Sequence, residues 1–129
     1  MSATGVPLQT SVESWNGSSW TETTDLNEGR NNGGGASDGT QTSIIIFGGN
    51  DPSPGYLATN EFWNGTSWTE TTDVNSKRVI TKGVGTSAES ALLIAGQPQP
   101  PGANSGLTEL WNGTTWTEVA DLSTARAGP

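Results

Sequence analysis

Residues 63–70 read WNGTSWTE, and the phrase recurs as WNGSSWTE at 15–22 and as WNGTTWTE at 111–118. The leading tryptophans Trp15, Trp63 and Trp111 stand 48 residues apart both times, and Trp20, Trp68 and Trp116 follow in phase. A fixed period of that length marks a repeat architecture, in which each copy is one supersecondary unit unable to bury its apolar face alone. All six tryptophans of the chain belong to the phrase. Burying one tryptophan removes about 150–250 Å² from water, worth at most about 4–6 kcal/mol. Two per copy would dominate a unit this small.

Locally the phrase reads as a β-hairpin, because Asn-Gly supplies the left-handed residues of a type I′ turn and β-formers flank it. A two-residue turn would set Trp63 against Thr66 and Glu61 against Trp68, leaving Trp63 and Trp68 diagonal on one face. A four-residue turn would oppose the tryptophans directly but would also oppose Glu61 and Glu70, two like charges. The tighter turn is therefore expected.

Working outward, residues 44–49 (IIIFGG) and 92–96 (LLIAG) are short apolar runs that end in glycine. Runs of this length read as strands buried on both faces, since a helix so short is marginal. A Gly/Asn-rich connection precedes each run, and a loop rich in Pro and Gly follows it, where proline forbids a ladder. Arg30, Arg78 and Arg126 recur in phase. Each unit thus holds a Gly-rich strand, an apolar strand, a long loop and two strands joined by Asn-Gly. Four antiparallel strands per repeat describe a propeller blade. The expected division is a partial blade over 1–26, blades over 27–74 and 75–122, and the start of a further connection over 123–129.

Composition agrees with an all-β chain: 30% of the 129 residues are apolar and 14% charged, and Gly, Ser, Thr and Asn supply much of the rest. Low hydrophobicity and a net charge of −8 push toward disorder, but the regular tryptophans and the Ile44 to Phe47 run oppose it. Cysteine and histidine are both absent, which removes thiolate metal sites, the commonest general base and the commonest metal ligand. Five basic residues against thirteen acidic ones argue against electrostatic attachment to nucleic acid or to an anionic membrane. No run approaches the length of a membrane-spanning helix.

With these features in place, the chain resembles the kelch-repeat β-propellers. The resemblance rests on residues 44–49, then Glu61, Phe62 and Trp63, then Trp68, Thr69 and Glu70, then Asp73, Val74 and Arg78. They are similar to the family's hydrophobic-Gly-Gly strand, its strand-three aromatic, its strand-four tryptophan and its following arginine. Gly48 and Gly49 match the double glycine, whereas Gly96-Gln97 replaces it in the next copy, Trp replaces the usual Tyr, and the hairpin turn is shorter. The departures are similar to tandem repeats of marine bacteriophage and bacterial surface proteins. The resemblance implies about two and a half four-stranded blades, too few for one chain to close a ring alone. Other copies of the chain, or flanking blades of a longer one, would be its partners.

Function is expected in the loops, which differ between copies while the frame repeats. In a kelch-like blade the loops after the second and fourth strands share one face. That would gather Asn50, Asp51, Tyr56, Gln97, Gln99 and Asn104 with the connections carrying Arg30 and Arg78. The six tryptophans are read as packing rather than sugar platforms. Asn16, Asn64 and Asn112 match the glycosylation acceptor pattern, but Asn-Gly already serves the turn. The acidic groups around Asp25 to Glu28 and around Asp73 lack the spacing of a calcium loop, and a turn-capping role is preferred. The glycines after Asn31 lack the Lys-Ser/Thr of a phosphate cradle, and Trp63 stands where an Asp-box needs Asp. Galactose-oxidase-like chemistry would need Cys and His. The reading is a non-enzymatic structural or adhesive module without cofactor or metal, on a phage particle (virion) or other extracellular surface, contacting a glycan or another virion protein. The alternative is a secreted carbohydrate-binding or glycan-processing propeller.

Overall fold

A computed structural model of the chain describes residues 8–37, 39–51, 55–87, 89–98 and 103–127. Their secondary structure is all strand, with no helix among them. The first hairpin is β1 (Glu13–Trp15) with β2 (Trp20–Glu22). The next unit runs β3 (Gly34–Ser37), β4 (Ile44–Phe47), the short pair β5 (Asn50–Asp51) and β6 (Gly55–Tyr56), then β7 (Asn60–Trp63) and β8 (Trp68–Glu70). The last comprises β9 (Arg78–Val79), β10 (Lys82–Ser87), β11 (Ser90–Ile94), β12 (Gln97–Pro98), β13 (Thr108–Trp111) and β14 (Trp116–Val119).

Two four-stranded antiparallel sheets result, ordered β3-β4-β7-β8 and β10-β11-β13-β14, while β1 and β2 pair with each other. Because side chains alternate across a strand, the register assigns each sheet two faces. In the first sheet Ala36, Ile45, Phe47, Asn60 and Phe62 share one face, and Ile44, Ile46, Glu61, Trp63 and Trp68 share the other. In the second, Gly83, Gly85, Ala91, Leu93, Glu109, Trp111 and Trp116 share the face that corresponds to the Glu61-Trp63 side. The front of the first sheet packs on this back face of the second. The buried cluster joins Ala36, Ile45 and Phe47 to Ala91, Leu93, Trp111 and Trp116.

Side-chain size is graded across this contact. At the first strands the backbones nearly touch: a Cβ on Gly83 would lie 2.1 Å from the Gly35 carbonyl oxygen. At the third and fourth strands Trp111 and Trp116 fill the space, and Phe47 meets Trp116 edge to face at 5.2 Å. Glycine is required at one side of the contact and tryptophan fits the other.

The hairpin turn departs from the expected form. Trp63 pairs with Trp68 and Glu61 with Glu70, so four residues rather than two make the turn, and all three hairpins place their tryptophans opposite each other. Gly65 has φ 96°, but Asn64 is not left-handed, which excludes type I′. The Asn64 side chain does the work instead, its Oδ1 accepting from the amides of Thr66 and Ser67 at 2.9 Å each. Asn16 and Asn112 repeat the arrangement. The directly opposed rings then stack at 5.2 Å between centroids. The like-charge objection fails because Glu61 is buried among its own donors while Glu70 is exposed.

A second difference concerns the glycine pair. Ala95 and Gly96, rather than Gly96 and Gln97, stand where Gly48 and Gly49 do. Gly48 and Ala95 have φ 62° and 60°, and their amides donate to Thr59 and Leu107 respectively. Gly49 and Gly96 donate to Arg78 and Arg126 in the same way. Alanine in the left-handed region costs about 1–2 kcal/mol, a strain the second unit carries and the first avoids.

Candidate interaction surface

Beneath the loops lies a buried polar frame. Glu61 accepts from the Asn27 amide at 2.8 Å, from Asn27 Nδ2 at 3.0 Å, from the Glu28 amide at 3.1 Å and from Arg30 at 3.2 Å. Glu109 repeats this in the next unit, accepting from the Asn75 amide and from Arg78, both at 2.7 Å. Asn27 and Asn75 also donate Nδ2 to the Trp68 and Trp116 carbonyls. Each carboxylate therefore latches the chain entering its unit onto the outer hairpin.

Arg30 and Arg78 belong to this frame and are not presented to solvent. The Arg30 side chain is nearly buried and also donates to the carbonyls of Gly48 at 3.0 Å and Thr59 at 2.7 Å. Arg78 is fully buried, and burial pushes its pKa below the ordinary arginine value while the Glu109 carboxylate opposes that. Its Nε and one terminal nitrogen have no hydrogen-bond partner. Such a pair adds little net stability, but losing one member strands the other charge in a dry site.

The loop residues lie along one edge. Asn50 pairs with Tyr56 and Asp51 with Gly55. Asn50 exchanges backbone hydrogen bonds with Asn31, and Asn32 Nδ2 lies 3.4 Å from Asn50 Oδ1. The Asn32 carbonyl accepts from Ile80 at 2.7 Å, next to Val79, which pairs with Gln97. Gln97 in turn donates to Asn104 at 3.3 Å. Asn50, Asn32, Ile80, Gln97 and Asn104 thus lie along a row running from one unit to the next, linked through the backbone of the buried Val79. Gln99 lies outside the described residues. Asn32 and Ile80 occupy matching positions and both have φ 55°, a conformation rare for a β-branched residue such as Ile80.

Among the described residues no three acidic side chains converge on a possible metal position. Asp25 accepts a bond from Thr10 and Glu28 from Thr59. What the edge offers chemically is the amide groups of Asn32, Asn50, Gln97 and Asn104 beside the Asp51 carboxylate and the Tyr56 phenol, suited to hydrogen-bonding a polar partner.

A separate cleft of about 330 Å³ opens between the first hairpin and the first sheet, lined among others by Val12, Ser14, Gln41, Ile44, Trp63 and Trp68. Gln41 spans its rim, bonding Ser14 and both backbone groups of Trp15, and its carbonyl accepts from Trp63 Nε1 at 2.9 Å. Trp68 Nε1 is buried in the same region without a partner.

Glu61 and Glu109 with Asn27 and Asn75 form a buried frame that the sequence alone does not assign, Glu61 being read there only for the hairpin register and the family resemblance and the Asn27 and Asn75 segments as turns. Their signal was present: Glu13, Glu61 and Glu109 each stand two residues before a leading tryptophan. The class that this geometry defines is an all-β repeat protein of stacked four-stranded antiparallel sheets. No family model matches the chain, and no curated protein matches it either.

Proposed function

We propose that this chain is a non-enzymatic structural or adhesive module of kelch-like propeller type. It works by display, a stiff repeated frame holding a row of variable polar loops against a glycan or protein partner on an extracellular or virion surface. The observation that carries this reading is the row itself. It brings segments that differ between the two units to one edge of a frame whose tryptophans, buried carboxylates and turn asparagines recur. The wedge implied by glycine at one side of the sheet contact and tryptophan at the other supports blades around an axis, since inner strands must crowd where outer ones diverge.

The test is an array of surface glycans and candidate virion proteins probed with the wild-type chain and with Tyr56→Ala. Display predicts a bound partner whose affinity falls about tenfold or more in Tyr56→Ala, in keeping with aromatic anchors at interfaces. Absence of any partner contradicts display and leaves a purely architectural role. The cleft favours the second reading, a carbohydrate-binding propeller, because two tryptophans adjoin Gln41 and Ser14 there. In that case Gln41→Ala abolishes binding and Tyr56→Ala does not.

A further inference from the structure

The contact between the two sheets is heterologous, the front of one on the back of the next, so among the described residues it leaves one front and one back without a sheet against them. That front belongs to the second sheet, where Ile94, Thr108, Leu110 and Val119 correspond to Phe47, Asn60, Phe62 and Thr71 of the covered one. Leu110 is 40% exposed there. That back belongs to the first hairpin, whose Trp15 and Trp20 correspond to Trp111 and Trp116. They are 40% and 63% exposed, against 2% and 5% for those counterparts.

The buried ion pairs leave matching halves. Arg30 reaches Glu61 and Arg78 reaches Glu109, each carboxylate lying on the tryptophan face of the unit that follows its arginine. Continuing the series, Glu13 is the counterpart of Glu61 and Glu109, and Arg126 that of Arg30 and Arg78. Glu13 and Arg126 are both exposed, and among the described residues neither lies in an ion pair. Arg126 is already held in the position its counterpart takes, its carbonyl accepting from Gly96 at 2.9 Å as the Arg78 carbonyl accepts from Gly49 at 3.1 Å.

We infer that the hairpin of one copy docks on the last sheet of a second copy, head to tail, reproducing between chains the contact seen within the chain. Trp20 sits on Ile94 and Thr108 as Trp116 sits on Phe47 and Asn60. Trp15 covers Leu110 and Val119, and Glu13 pairs with Arg126 of the next copy. The inference builds on the stacking described for the proposed module and adds its partner. A ring forms if the rotation closes and an open stack if it does not.

Sedimentation velocity at physiological salt, which screens the chain's net negative charge, tests this from roughly 1 to 500 μM, a range bracketing a micromolar dissociation constant. The wild type is expected to associate with concentration. Trp20→Glu spoils the back and Leu110→Glu the front, so each alone stays monomeric. Mixed in equal amounts they form dimers and nothing larger, since each chain keeps one working face. A wild type that is monomeric throughout, a single variant that associates like wild type, or a mixture that forms no dimer overturns the docking. None of these bears on partner binding by the loops, which the array reads separately. Because exchanging a large apolar side chain for glutamate can disturb the sheet that carries it, charged surface residues supply the second arm. Glu13→Arg and Arg126→Glu each weaken association about tenfold or more, and together in one chain they restore it. Failure of the double variant to recover overturns the ion pair and with it the docking geometry.

Discussion

The chain covers the same tryptophan hairpin in two ways, and the difference shows what stabilises it. Over Trp111 and Trp116 lies a complete sheet: Phe47 meets the Trp116 ring edge to face, and Asn60 Oδ1 accepts from Trp116 Nε1 at 3.3 Å. Over Trp63 and Trp68, among the described residues, lies the two-stranded β1-β2 hairpin with Gln41 beside it. Val12 stands where Asn60 does in the other contact, so Trp68 Nε1 has no acceptor, and with Ser14 in the place of Phe62 the cleft there is about 330 Å³ against about 100 Å³ at the matching residues of the first contact. Both hairpins share their turn, register and ring stacking. What separates them is the neighbour, so stability in this protein resides in the contacts between units.

Breaking the closed contact should have the largest effect. Glu109→Gln removes the charge opposite a fully buried Arg78 and should cost about 3–5 kcal/mol in urea unfolding. Gly83→Ala, forcing a methyl onto the Gly35 carbonyl, should cost about 1–3 kcal/mol and appear as a lower melting temperature in calorimetry. Relieving strain acts the other way: Ala95→Gly restores the residue found at position 48 and should stabilise by about 1 kcal/mol in the same assay. The smallest change sharpens the comparison at the open contact. Val12→Asn supplies the missing acceptor for Trp68 Nε1 and should add about 0.5–1 kcal/mol, with slower exchange of that indole proton.

Much of the fold is legible in the sequence because it is periodic. The strands of both sheets follow from the spacing of the tryptophan phrase and from the apolar runs, which are local signals. The hairpin register was not legible, because the turn preference of Asn-Gly and the opposition of Glu61 to Glu70 both pointed to a shorter turn. The turn is held in all three hairpins by the side chains of Asn16, Asn64 and Asn112, even in the first, where Glu13 is exposed; in the second, Arg30 with the amides of Asn27 and Glu28, more than thirty residues away in sequence, takes up the Glu61 charge. The same distance hid the role of the arginines, which recur visibly but whose partners only folding brings together. The place of Ala95 was hidden differently: the loop after β11 is one residue longer than the loop after β4, which shifts the strand by one against the hairpin.

The central claim is that each tryptophan hairpin is stabilised by what the adjoining unit lays over it. Equilibrium unfolding of Trp116→Ala, Trp68→Ala and Trp20→Ala, at concentrations dilute enough to keep the chain monomeric, tests it directly. The expected loss is about 3–5 kcal/mol for Trp116, about half that for Trp68 and within about 0.5 kcal/mol of zero for Trp20. Equal losses at all three positions, or a greater loss at Trp20 than at Trp116, would contradict it.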